Sequence, residues 1–153
     1  MKPLFSVMYH NYPRLEKREV LFDEIGWSDL TDNKAFKDTC AIRMSYALRL
    51  SMIQFHSGDM KAKAGKIKGQ IIEIRQGDLS RALKKLWGEP EVYTGEHAAR
   101  DGIGSRNGVA SFFRIEGGSG GHIDLVGPGQ NGILRCARSC YFSAASIWFW
   151  PLP

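Results

Sequence analysis

The sequence predicts an α+β fold, with N-terminal helices gathered on one face of an antiparallel sheet. Three observations point to it. Apolar residues recur at helical spacing up to Trp87, and short β-branched and aromatic runs follow from Val109. Those runs are separated by Glu116-Gly-Gly-Ser-Gly120 and Gly127-Pro-Gly-Gln-Asn-Gly132, both strong turn signals.

Each element has its own warrant. Pro13 suits a first helical position and Gly26 a left-handed stop, so a helix is expected between them, ending at Ile25. Asp38 or Thr39 can cap a second helix over 40–52, whose residues Cys40, Met44, Ala47, Leu48 and Met52 form one apolar stripe. Ile71-Ile-Glu-Ile74 is a short strand candidate. Asp78 then caps a third helix, Leu79 to Trp87, closed by Gly88 and Pro90. The later strands are read at Val109–Ile115, Gly121–Val126, Gly132–Arg135 and Ser146–Trp150, as a meander. The 153 residues show no repeat, linker or low-complexity tract, and fit one domain over 1–153.

Composition narrows the function classes. With 43% hydrophobic and 11% aromatic residues, the chain has enough apolar surface to fold rather than remain disordered. No apolar run reaches the eighteen or so residues of a membrane-spanning helix, so membrane insertion is not expected. The net charge of +5 favours anionic partners, or else describes a basic surface that binds nothing through charge. Lys61-Ala-Lys-Ala-Gly-Lys-Ile-Lys68 spaces its charges too widely for a nucleic-acid arm and reads as a solvated loop. The first ten residues lack the apolar core and cleavage site of a secretory signal, so export is expected by another route.

The chemistry-bearing residues are few. Cys136 and Cys140 can close a small disulfide in an oxidising compartment, or stay reduced in the cytosol; without a second CxxC or an HxxxH they do not suggest zinc. Cys40 is then the odd thiol. At a helix start, the dipole and unpaired N–H groups would lower its pKa from about 8.5; the competing reading is a structural cysteine packed beside Met44 and Ala47. His122 opens an apolar strand after the small residues Gly117-Gly-Ser-Gly-Gly121, which leave room for another chain or a substrate. A period of two puts His122 and Asp124 on one sheet face, where they point to solvent or line a site. His10, His56 and His97 lie in loop-like surroundings, with His56-Ser-Gly-Asp59 able to reach a cleft.

A cysteine at a helix start facing a strand histidine is the arrangement of papain-like cysteine hydrolases. The imidazole takes the thiol proton, the thiolate attacks an amide carbonyl and helix-start N–H groups hold the oxyanion. The chemistry calls for no cofactor or metal.

Asp38-Thr-Cys-Ala-Ile-Arg-Met-Ser-Tyr-Ala-Leu48 resembles the nucleophile motif of the fourth family of type VI secretion amidase effectors, and Gly121-His-Ile-Asp-Leu125 resembles its histidine motif. Cys136-Ala-Arg-Ser-Cys140 and the ending Ile147-Trp-Phe-Trp-Pro-Leu-Pro153 are similar to other family features. The likeness runs over 38–153; residues 1–37 add little beyond a helix. It implies an NlpC-like, papain-like fold with Cys40 and His122 as the catalytic pair. It also implies cleavage of the γ-D-glutamyl–meso-diaminopimelate bond in peptidoglycan stems, with the D-alanine–diaminopimelate cross-link as the alternative bond. The toxin would be exported by the type VI machinery to a competitor's periplasm, and a cognate immunity protein would protect the producer. The missing signal and the possible Cys136–Cys140 disulfide suit that route.

Some family members place an aspartate between the two late cysteines, whereas this chain has Ala137-Arg-Ser139. The group that orients the imidazole then falls to Asp124, with Ser139 or a backbone carbonyl as alternatives. Two residues along a strand span about 6.6 Å, a stretched reach for Asp124. The reading of another class is a non-catalytic basic module for nucleic acid or cell-wall polymer, with Cys40 in the core.

Overall fold

Helix α3 (Cys40–Leu50) is the axis of the computed structural model, which describes residues 1–115 and 120–153. Every residue of α3 from Cys40 to Arg49 is buried. Cys40, Ala41, Met44, Ala47 and Leu48 pack with Val109, Ile123, Leu125 and Trp150 on one side, while Ile42 and Tyr46 pack with Leu21, Phe22, Ile25 and Trp27 on the other. Burying a side chain such as Leu48 or Ile42 contributes about 1.5–3 kcal/mol. Two arginines share this interior because their guanidiniums find carbonyls. Arg43 donates to Pro13 O at 2.6 Å and Glu16 O at 2.7 Å, and Arg49 to Ile71 O at 3.0 Å and Phe55 O at 3.1 Å. The helix stops at Leu50, so Met52, at φ 64° and exposed, leaves the expected stripe.

A helix not foreseen, α1 (Phe5–Asn11), precedes α2 (Arg18–Ile25). The helix expected from Pro13 begins five residues later because the Pro13 and Glu16 carbonyls are turned to Arg43 instead of into a helical ladder. Gly26 closes α2 at φ 77°, as its position suggested. The lysines of 61–68 are exposed, Lys61 in a two-residue ladder between β1 (Met60–Lys61) and β2 (Ile71–Ile72) and the others in the loop that joins these strands. Helix α4 (Gln76–Trp87) starts ahead of Asp78, which pairs with Arg81.

The main sheet contains β3 (Glu91–Tyr93), β4 (Gly108–Phe113), β5 (His122–Pro128), β6 (Leu134–Cys136) and β7 (Ser146–Pro151) in the order β3-β7-β4-β5-β6, all antiparallel. It is not a plain meander, because the last strand inserts between β3 and β4. Its sequence explains why: Trp148 and Trp150 fill the α3 face while Ile147 and Phe149 fill the other, so β7 has two apolar faces to bury. That second face is covered by α5 (Glu96–Ile103), a further unforeseen helix, through Ala99 and Ile103. The expected turn at Glu116–Gly120 lies, in its residues 116–119, outside the described residues. Among the described residues, no helix is long and apolar enough to cross a membrane.

What positions the site is the shortness of β6. It pairs with β5 only over Val126–Pro128. The outer edge of β5 at His122–Asp124 therefore has no strand neighbour among the described residues, and the start of α3 lies against it.

Candidate active site

The start of α3 is built by the two residues before it. Asp38 Oδ1 accepts the Cys40 N–H at 3.1 Å, and Thr39 Oγ1 accepts from Arg43 Nε at 2.8 Å. Cys40 is thereby the first residue of the helix, and its thiol lies against the backbone of Ile123. The thiol is not depressed as a helix start alone suggests. Burial pushes it well above the ordinary cysteine value, and the Asp38 carboxylate adds to this; backbone groups of Ile123 and Ala41 act in the opposite direction but are outweighed. Desolvation of the charged form exceeds the dipole because Cys40 is only 4% exposed.

His122 and Asp124 share one face of β5, as the period of two requires. Its ring is stacked at 6.2 Å on Phe112 and held edge-on by Tyr141 at 5.1 Å. Their side chains lean together along the strand, so that His122 Nε2 and Asp124 Oδ2 are 2.8 Å apart and the expected stretch is closed. Asp124 is fully buried and so does not face solvent. Its Oδ1 accepts Leu125 N–H at 2.8 Å, and its Oδ2 accepts the N–H groups of Arg138 and Ser139, each at 3.0 Å. A carboxylate surrounded by donors accepts from His122 as well. Nε2 therefore carries a ring proton in this contact, and Nδ1 is the nitrogen left for other partners.

The segment without an aspartate thus has a different task. A disulfide joins Cys136 and Cys140, with their Cα atoms 5.2 Å apart. Within that loop Arg138 and Ser139 present backbone N–H groups to Asp124, so the contact from Ser139 is its main chain. Of the stretch expected to leave room for another chain or a substrate, residues 117–119 lie outside the described residues; open space adjoins Gly120, while the space beside Gly121 is taken by the Gln76 side chain and the Phe112 carbonyl.

The other histidines lie elsewhere. His10 and His97 are exposed on helices α1 and α5, and His56 borders a cavity of about 460 Å³ with Glu73, Arg75 and Asp78. Among the described residues, no group of three His, Cys, Asp or Glu could hold a metal ion. Tyr12 was not legible as a site residue. It packs in the same cluster as Cys40, Ile123 and Leu125, from a stretch with no local motif.

No curated protein matches the sequence significantly. Over its whole length the chain superposes on Tae4 from Enterobacter cloacae with a TM-score of 0.79 and 21% identity, covering 98% of that chain. It superposes on a chain of the Enterobacter cloacae Tae4–Tai4 effector–immunity complex with a TM-score of 0.76 and 19% identity, and on one of the Salmonella Typhimurium Tae4–Tai4 complex with 0.74 and 17%, covering 100% of each. These are similarities of fold. The profile described as type VI secretion system (T6SS), amidase effector protein 4, matches residues 36–150, a span that holds Cys40, His122, Asp124 and the disulfide. This α+β chain, with a cysteine at a helix start beside the strand that carries a His–Asp pair and matched over three-quarters of its length, belongs to the family of type VI secretion amidase effectors 4.

Proposed function

We propose that this amidase effector cuts the peptide stems of peptidoglycan at the γ-D-glutamyl–meso-diaminopimelate bond, with Cys40 as nucleophile, His122 as base and then acid, and Asp124 as the orienting group. The observation that carries the assignment of roles is the buried Asp124 carboxylate bound to His122 Nε2 beside the start of α3. It leaves Nδ1 to accept the Cys40 proton. Since burial holds the thiol protonated, proton transfer accompanies attack on the amide carbon. The C–S bond forms, the tetrahedral intermediate collapses and the C–N bond breaks, with the imidazolium protonating the leaving amine. Water, deprotonated by His122, then hydrolyses the thioester. Asp124 stabilises the imidazolium in both halves.

The net charge of +5 suits a carboxylate-bearing polymer. Action in the target's periplasm suits the disulfide, which an oxidising compartment maintains. Relatives of this fold are solved as effector–immunity complexes, and a cognate immunity protein is the corresponding partner here. The test is mass spectrometry of purified muropeptides digested by the protein and by Cys40→Ala. Products ending at D-glutamate, absent with the variant, support the reading. Products cut only at the D-alanine cross-link, or cleavage that survives Cys40→Ala, overturn it.

A further inference from the structure

The start of α3 supplies less to an oxyanion than a papain-like site leads one to expect. The Cys40 N–H is engaged by Asp38 Oδ1 at 3.1 Å. The Ala41 backbone is directed to the Cys40 sulfur. Developing charge on the carbonyl oxygen of a substrate therefore needs another donor nearby.

Tyr12 is placed to be that donor. It is only 4% exposed and packs in one cluster with Cys40, Ala41, Ile123 and, at its margin, Ala137. Among the described residues its hydroxyl has no hydrogen-bond partner, which is unusual for a buried phenol. The chain beside it is pinned to both halves of the site. Pro13 O and Glu16 O accept from Arg43, one turn beyond Cys40, and Arg14 O accepts from Arg138 Nη1 at 2.7 Å, inside the disulfide loop that holds Asp124. Such tethers fix the phenol before substrate arrives, as electrostatic preorganisation requires. Burial, with Asp124 and Cys40 nearby, raises its pKa well above the ordinary tyrosine value, so it remains a donor.

We propose that the Tyr12 hydroxyl is an oxyanion donor of this amidase, hydrogen-bonding the oxygen of the scissile amide as the Cys40 sulfur adds to its carbon. As the C–S bond forms, the carbonyl π pair moves onto oxygen. The Tyr12 O–H stabilises that charge without giving up its proton, and the bond relaxes when the pair returns and the C–N bond breaks. This role rests on Cys40 being the nucleophile, and the experiment keeps the two apart.

Tyr12→Phe removes one oxygen and nothing else. On muropeptides, kcat is expected to fall roughly 10²–10³-fold, the loss usual for one oxyanion donor, with KM little changed. The melting temperature is expected to hold or rise, since an unpaired buried hydroxyl is removed. Alkylation of Cys40 by iodoacetamide at pH 9 is expected to be unchanged, because the donor serves the substrate oxygen and not the sulfur. Full turnover in Tyr12→Phe with an inactive Cys40→Ala overturns the role of Tyr12 alone, whereas an active Cys40→Ala overturns the nucleophile itself. A rise in KM at constant kcat, a loss of turnover matched by a lower melting temperature, or alkylation slowed in parallel with turnover would each show that Tyr12 binds, packs or tunes the thiol instead.

Discussion

Asp124→Asn separates the charge of this residue from its shape. Asp124 Oδ2 receives three donors, His122 Nε2–H and the N–H groups of Arg138 and Ser139, and Oδ1 receives a fourth from Leu125. An asparagine has one acceptor oxygen. Placed at the crowded position, it leaves the Leu125 N–H facing an amide NH₂; flipped, it leaves three donors unsatisfied. The better orientation costs about 1–3 kcal/mol for one orphaned buried donor. At ~2–4 °C per kcal/mol for a domain of this size, the melting temperature should fall by roughly 2–12 °C. Activity should fall further than that loss of fold explains. Burial raises the Cys40 thiol, so in the proposed mechanism the imidazolium has to be stabilised as the proton is transferred. Loss of the orienting charge reaches ~10⁴-fold in serine triads, and about 10²–10⁴-fold is expected here. The assay is muropeptide cleavage at a temperature well below both melting points, alongside Ser139→Ala, which keeps the backbone N–H and should stay near normal. A near-normal rate for Asp124→Asn with the calculated drop in melting temperature would refute the reasoning and leave Asp124 a purely structural anchor.

Three further outcomes are expected. His122→Ala should lose nearly as much activity as Cys40→Ala, and the double variant should be little worse than either, since residues acting as a unit are non-additive; independent, multiplying losses in kcat/KM would argue against a pair. Because burial raises the Cys40 thiol, its thiolate fraction grows as pH rises, so alkylation of the substrate-free protein should climb steadily above neutrality; a plateau reached by pH 7 would contradict this. Cys136 and Cys140 should be bonded in protein taken from the periplasm, and replacing both by serine should cost at most the ~2–4 kcal/mol typical of disulfides, given so short a loop, while loosening the N–H groups on Asp124 and slowing cleavage. Mass mapping that finds both thiols free, or a double serine variant of unchanged rate, would count against it.

The disulfide loop, Asp124 and the chain at 12–16 form one connected structure beside the start of α3. Arg138 is its hinge point, with its N–H on Asp124 and its guanidinium on the Arg14 carbonyl. A segment that lacks a carboxylate can therefore still serve the proposed triad, by holding one that stands on the neighbouring strand.

What was legible in the sequence were features set within a few residues of one another. Helical spacing and the Asp38-Thr39 cap put Cys40 at a helix start, the period of two put His122 and Asp124 on one face, and the spacing of Cys136 and Cys140 allowed a small loop. The insertion of β7 between β3 and β4, helix α5 on the far face and the delayed start of α2 depended on partners distant in sequence. So did the chemistry of the site. A local rule predicted a depressed thiol, but the burial that reverses it comes from packing Cys40 into a cluster that includes β5 residues Ile123 and Leu125. Strand pitch alone made Asp124 look out of reach, whereas side-chain lean and two N–H groups from the disulfide loop bring it to 2.8 Å from the ring. Periodicity and capping act through bonds within one turn or pleat; desolvation and long-range hydrogen bonds exist only once the chain has closed on itself, and these determine what Cys40, His122 and Asp124 can do.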